Sequence, residues 1–146
     1  MQPDIIQTRP YRPGDAALIP VAEVDPFGFW LREIEEVGRG LTSYYLDDLL
    51  VAVSLYTPAW RGVADSCALV NRDLSRGHGK ALARSIRQRI DQLMISDNLH
   101  RAQATAYVTD RPSQVFLRAI GYRYESTMKR GAADGSDLYV YALLGE

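Results

Sequence analysis

Six consecutive residues near the middle of the chain combine glycine with basic side chains, a composition suited to holding phosphate. They are Arg76, Gly77, His78, Gly79, Lys80 and Ala81. Glycine lacks a Cβ, so an anion can approach the backbone amides closely and a tight turn with φ > 0 costs little. A strongly periodic segment follows, and the start of a helix adds unpaired N–H groups and the positive end of the helix dipole. We therefore predict a turn that binds the phosphates of a cofactor.

Two phosphate-binding motifs do not fit this run. A dinucleotide-binding turn has the pattern G-x-G-x-x-G, but Leu82 occupies the third glycine position and the full repeat is lacking. A triphosphate loop ends in G-K-[ST], but here Ala81 follows the lysine and Leu74 stands at the first glycine position. An ordinary connection between a strand and a helix is the remaining structural alternative.

The elements that must position the run follow from hydrophobic periodicity. An apolar segment over 63–71 predicts a strand before it, and apolar residues on one face over 80–96 predict a helix after it. Asp15 is predicted to cap a short helix, and 58–62 to form a loop. Further helices are predicted over 26–37 and 111–120, and further strands over 5–12, 41–45, 49–57, 101–108, 122–128 and 138–144. Hairpins followed by a strand–helix–strand unit predict a mixed, twisted sheet.

Three positions of the run, Arg76, Gly79 and Ala81, match the [QR]-x-x-G-x-[GA] signature of the GNAT superfamily of N-acetyltransferases. Segment 116–122, which ends in Gly121 and Tyr122, resembles the second signature of that family, and 9–15 resembles its opening strand and turn. The chain thus resembles the family along essentially its whole length. The resemblance implies one α/β domain over 1–146, of mixed α+β character: a twisted, mixed sheet of six to seven strands with splayed central strands and about four flanking helices.

The resemblance also implies a function, the transfer of an acetyl group from acetyl-coenzyme A (acetyl-CoA) to a primary amine of a small molecule or protein. Residues 76–81 would hold the pyrophosphate, and Phe116 would flank the tail of the cofactor. The backbone of Leu69, Val70 and Asn71 would pair with the pantetheine arm. In this fold the strands on either side of the arm, here 63–71 and 101–108, splay apart to admit it.

One departure affects the catalytic assignment. The family often has a tyrosine, able to protonate the departing thiolate, at the position of Leu117, and leucine cannot donate a proton. Candidate bases are Asp65, Tyr107 and either Glu33 or Glu36. The structural alternatives are a surface carboxylate for Asp65, a core aromatic for Tyr107 and a solvated helix face for the glutamates. Residues expected to border the acceptor are Phe29, Trp30 and Glu33, whose alternatives are core packing and a solvated helix face.

Composition limits the classes of partner. The chain has 146 residues, 47% of them apolar, and a net charge of −1, which allows a sizeable core and argues against a nucleic-acid-binding protein. Its single cysteine, Cys67, excludes an internal disulfide and a cysteine-based zinc site. No apolar run reaches the roughly 18 residues that span a bilayer, so we expect a cytoplasmic protein with no membrane partner and no metal. The sequence is compatible with both a monomer and a homodimer. The alternative function is a non-catalytic acyl-CoA-binding module or a structural, virion-type module that keeps the fold.

Overall fold

The computed structural model describes residues 5–19, 39–71, 74 and 76–145. Its strands are β1 (Ile6–Pro10), β2 (Arg39–Leu46), β3 (Leu49–Trp60), β4 (Val63–Val70), β5 (Arg101–Tyr107), β6 (Arg123–Met128) and β7 (Leu138–Leu144). The helices in the described part are a short 3₁₀ helix (Asp15–Leu18), α1 (Arg76–Ser96) and α2 (Arg111–Ile120). The strands form one sheet in the order β1-β2-β3-β4-β5-β7-β6. Parallel pairing of β4 with β5 beside antiparallel neighbours confirms the predicted mixed sheet.

The chain groups into two compact units, and the first comprises Met1–Thr57 and Cys67–Ser85. In it β2 pairs antiparallel with both β1 and β3. Part of its core is a cluster of four buried apolar side chains, Ala16, Ile19, Val53 and Leu69. The end of β4 is thereby anchored in the core of this unit.

The second unit comprises Pro58–Ser66 and Ile86–Glu146. Here β7 pairs antiparallel with both β5 and β6. The predicted small-residue face of β5 is confirmed, because Ala102, Ala104 and Ala106 are all buried. Small side chains on this face let the layer that covers it approach the sheet closely.

The start of the 3₁₀ helix corrects one prediction. Gly14, not Asp15, is the residue that precedes the helix, and no side chain caps it. The buried carboxylate of Asp15 instead accepts hydrogen bonds from the Arg12 amide (2.9 Å) and the Ser43 hydroxyl (2.7 Å). A buried carboxylate needs such donors, and β2 supplies one that the local sequence does not reveal.

The predicted loop over 58–62 is also wrong. Strand β3 continues through Pro58 to Trp60, and only Arg61 and Gly62 turn the chain into β4. Gly62 has a φ of 79°, which allows so short a connection. Proline keeps an extended backbone where no ladder hydrogen bond is needed from its nitrogen.

The predicted helix over 26–37 lies outside the described residues. Among the helices that the structure describes, none is both long and apolar enough to cross a membrane.

Candidate functional site

The run over 76–81, which is predicted to bind phosphate, forms the first turns of a helix rather than a turn before one. Helix α1 begins at Arg76, four residues earlier than predicted. Glycines with positive φ occur in the described chain at positions 14, 40, 62, 121 and 135. The predicted tight turn at Gly77 and Gly79 is therefore wrong, because both residues are helical. Periodicity missed the first turn because glycine and histidine are weak helix formers without an apolar pattern.

The surface over this first turn is open at Gly79. A Cβ built on this residue would meet no atom within 4 Å, so the missing side chain leaves free space above the backbone. The first four amides of a helix have no intrahelical acceptor and carry the positive end of the dipole. Lys80 is exposed and His78 is half-buried beside them. These residues fit a pyrophosphate group.

Strand β4 ends at Val70, before the start of α1 at Arg76. Leu69 is buried in the core cluster, and the Asn71 amide donates to the Val51 carbonyl at 2.8 Å. The Asn71 N–H is thus already paired and is not available to a ligand. Because backbone N–H groups alternate in direction along a strand, the Val70 amide is directed away from β3.

Parallel pairing between β4 and β5 covers only three residue pairs. Val63 pairs with Arg101, Ala64 with Ala102 and Asp65 with Gln103. The two strands themselves continue further, to Val70 and to Tyr107. The ladder therefore ends at Asp65.

Asp65 takes part in a chain of polar side chains, in which Asp65 and Glu125 are exposed and Gln103 and Arg101 are half-buried. Its carboxylate accepts a hydrogen bond from the Gln103 side-chain amide at 2.7 Å, and Gln103 in turn accepts one from Arg101 at 2.8 Å. Arg101 also makes two hydrogen bonds to Glu125, at 2.8 and 2.7 Å. That pairing raises the pKa of Arg101 and lowers the pKa of Glu125. Asp65 is thus oriented while its carboxylate stays open to solvent.

Comparison with known proteins gives a likeness to solved structures only. No family model matches the sequence, and no curated protein matches it. A GNAT-family acetyltransferase from Bacillus anthracis is 15% identical with a TM-score of 0.73, over 98% of this chain and 96% of that one. A ribosomal-protein-S5-alanine acetyltransferase from Vibrio fischeri is 16% identical with a TM-score of 0.68, over 99% and 95%.

The chain has the GNAT fold. A further similar structure is RimJ of Mycobacterium smegmatis in complex with CoA-disulfide, 20% identical with a TM-score of 0.66, over 97% of this chain and 83% of that one. These likenesses confirm the fold that the two signatures predicted.

Within the GNAT fold, the second signature lies on α2, whose predicted bounds are confirmed. Asp110 accepts a hydrogen bond from the Ser113 amide at 3.2 Å at the start of the helix, and Gly121 ends it with a φ of 121°. Phe116 is half-buried on this helix. Leu117 is half-buried too, and its carbonyl accepts from the Tyr122 amide at 3.0 Å.

The other predicted site residues fall in different places. Tyr107 is half-buried at the end of β5. The acceptor-site residues Phe29, Trp30 and Glu33 and the candidate base Glu36 lie outside the described residues.

Burial raises the pKa of the Cys67 thiol to about 11, so this group is protonated at neutral pH and is a poor nucleophile. Within the described ranges, no three potential metal-ligating side chains lie together.

Proposed function

We propose that this protein transfers an acetyl group from acetyl-CoA to a primary amine of a small molecule or protein. The observation that supports the proposal most is the open first turn of α1 at Gly79, in the helix that comes after β4 in a chain with the GNAT fold. A run that only connected a strand to a helix would not need a residue without a side chain at this surface.

The residues of this chain would hold the cofactor through its phosphates and its arm. The unpaired amides of the first turn of α1, which begins at Arg76, hold the pyrophosphate, with charge added by Lys80. Val70 offers a backbone N–H directed away from β3, which suits it to pair with the arm or to polarise the carbonyl of the thioester. The adjacent Leu69 is fixed in the core, so the strand presents this amide from a rigid support.

Acetyl transfer to an amine requires few catalytic side chains. A neutral amine attacks a thioester directly, so the protein needs to position the reactants and to remove a proton from the ammonium. We assign the proton acceptor to Asp65, because it lies at the end of the β4–β5 ladder, is open to solvent and is oriented by Gln103. Tyr107 at the end of β5 is the second candidate.

A non-catalytic acyl-CoA-binding module is the second candidate function. Leu117 favours it, because this residue stands where the family often has a proton-donating tyrosine and its side chain has no proton to donate. Such a module would bind acetyl-CoA without turnover.

Thiol release from acetyl-CoA, measured with a panel of amines and peptides, tests the proposal. We expect release with at least one acceptor, and Asp65→Asn should lower kcat about 100-fold or more while KM for acetyl-CoA stays unchanged. Asp47→Asn, an exposed residue in the β2–β3 turn, is the matched control and should have no effect. Binding of acetyl-CoA without any thiol release would favour the module, and absence of binding would contradict both functions.

A further inference from the structure

A cavity of about 640 Å³ lies in the second unit, where α2 ends and β6 begins. This volume is within the range of small-molecule binding sites. All of its lining residues belong to the second unit, and none of them belongs to the predicted cofactor site. Three of the lining residues are arginines, namely Arg87, Arg118 and Arg123. Their shared position makes the cavity a candidate site for an anion.

The short connection between α2 and β6 places two of these arginines near each other. Arg118 lies in the last turn of α2, and Arg123 is the first residue of β6. Only Gly121 and Tyr122 separate the helix from the strand, and Gly121 turns the chain with a φ of 121°. Glycine adopts this backbone conformation readily. The turn therefore has one arginine on either side.

The third arginine, Arg87, is fixed in place from α1. Its Nε donates a hydrogen bond to the Asp91 carboxylate at 2.9 Å, and its Nη1 donates one to the Ile120 carbonyl at 3.1 Å. Its guanidinium also occupies the space that a side chain at position 121 would fill. A guanidinium has five N–H groups, so Arg87 keeps donors for a further acceptor. The wall of the cavity thus includes one rigidly held positive charge.

Positive charge exceeds negative charge around the cavity. Glu125 is the one carboxylate in its lining, and both of its oxygens already accept hydrogen bonds from Arg101. Arg118 and Arg123 are exposed and have no ion pair within the described part of the chain. With Arg87 and its partner Asp91 included, four arginines face two carboxylates. The excess of two positive charges contrasts with the net charge of −1 of the whole chain.

The end of a helix explains only part of this charge. A cation in the last turn interacts favourably with the negative end of the helix dipole, which accounts for Arg118. Arg87 already donates to one of the last carbonyls of α2. Arg123 lies beyond the helix, on β6, and adds a charge that the helix does not need. An anion from outside the chain would neutralise this excess.

We propose that this cavity binds a small aromatic phosphate monoester, with its phosphate held by Arg87, Arg118 and Arg123. The N–H groups of guanidinium match the spacing of phosphate oxygens, and the resulting hydrogen bonds are strengthened by charge. A phosphate monoester carries nearly two negative charges at neutral pH, which equals the excess in the cavity. Tyr124 also lines the cavity and is 53% exposed, so its ring offers a contact surface to the aromatic part.

An NMR titration of the wild-type protein with phenyl phosphate tests the position of this site. We expect saturable shifts of the backbone amides of Gly121, Arg123 and Glu125, with a dissociation constant below about 1 mM at physiological salt. Shifts confined to the first turn of α1, or no saturable shift up to about 10 mM, would overturn the proposal. Inorganic phosphate should bind more weakly, because it makes no contact with Tyr124. Equal affinity for both probes would overturn the assignment of a monoester.

Charge-removing variants test the arginines themselves. Arg118→Gln and Arg123→Gln should each bind phenyl phosphate about 10-fold more weakly, because each loses charge-assisted hydrogen bonds to the phosphate. Arg111→Gln is the matched control, since Arg111 is exposed on the same helix as Arg118, lies outside the cavity lining and carries the same charge. It should bind as the wild type does. An equal loss of affinity in Arg111→Gln and Arg118→Gln would show unspecific attraction and overturn the site.

These outcomes do not depend on acetyl transfer. Arg118 and Arg123 are exposed and unpaired within the described residues, so their variants should fold as the wild type does. Circular dichroism checks the fold of each variant, and the titration of the wild type decides if one of them does not fold.

Discussion

Among single residues, Gly79 and Gly121 show two opposite uses of glycine. Gly79 lies in a helix with open space where a side chain would be, whereas Gly121 has a φ of 121° and the Arg87 guanidinium occupies the position of its missing Cβ. One glycine leaves room for a ligand, and the other is required by the backbone.

Alanine substitution should separate these two roles. Gly79→Ala should stabilise the fold by up to about 1 kcal/mol, because alanine is the better helix former. Gly121→Ala should destabilise it by about 1–3 kcal/mol, because only glycine readily adopts this φ. Urea unfolding of both variants measures the difference, and equal stabilities would contradict the assigned roles.

Cys67 offers a test of burial at a single side chain. The raised pKa of its thiol, about 11, leaves very little thiolate at pH 8. We expect slow alkylation by iodoacetamide in the folded protein and fast alkylation in urea, followed by mass spectrometry. Fast reaction of the folded protein at pH 8 would show that the thiol is open to solvent.

At the scale of elements, local signals explain which boundaries the sequence predicts well. The bounds of α2 are correct because Asp110, Pro112 and Gly121 mark its two ends. The start of α1 is missed because its first turn is recognisable by its phosphate chemistry and has no apolar periodicity. Helix α1 ends at Ser96 as predicted, and Asn98 follows it with a φ of 53°.

Local sequence signals do not predict contacts between segments that are distant along the chain. Ser66 and Tyr122 are 56 positions apart, and their hydroxyls meet only because β4, β5 and the end of α2 come together in the fold. Nothing in the sequence around either residue distinguishes it from an ordinary strand residue. The resemblance to the GNAT family points to Leu117 as a departure and carries no information about this contact.

The ion pair between Arg101 in β5 and Glu125 in β6 makes the stability of the second unit depend on pH. Hydrogen bonding to Arg101 lowers the pKa of Glu125 in the folded state, so the pair stabilises the fold above the ordinary pKa of glutamate. This stabilisation is lost as the pH falls through the lowered pKa. Glu125→Gln should therefore be less stable than wild type at pH 7 and should lose less stability on acidification. Thermal unfolding between pH 7 and pH 3 measures this, and parallel curves for the two proteins would contradict it.

For the whole molecule, order of elements and signatures together predicted the fold. The seven strands and the helices at 76–96 and 111–120 agree with the expected GNAT arrangement. The cofactor site at the end of β4 and the start of α1 stays a prediction from the sequence. The same signatures do not identify the acceptor substrate. Acceptor specificity depends on how several side chains from the N-terminal part of the chain are arranged around one amine.

The most direct test of the central claim is calorimetric titration of the protein with acetyl-CoA. We predict saturable binding to the wild-type protein and its loss in Gly79→Asp, which places a carboxylate where the phosphates lie. Gly79→Asp should fold, since no atom lies within 4 Å of the added Cβ. Circular dichroism checks that it does. No binding to the wild-type protein, or equal affinity in a folded Gly79→Asp, would contradict the assignment of the first turn of α1 as the cofactor site.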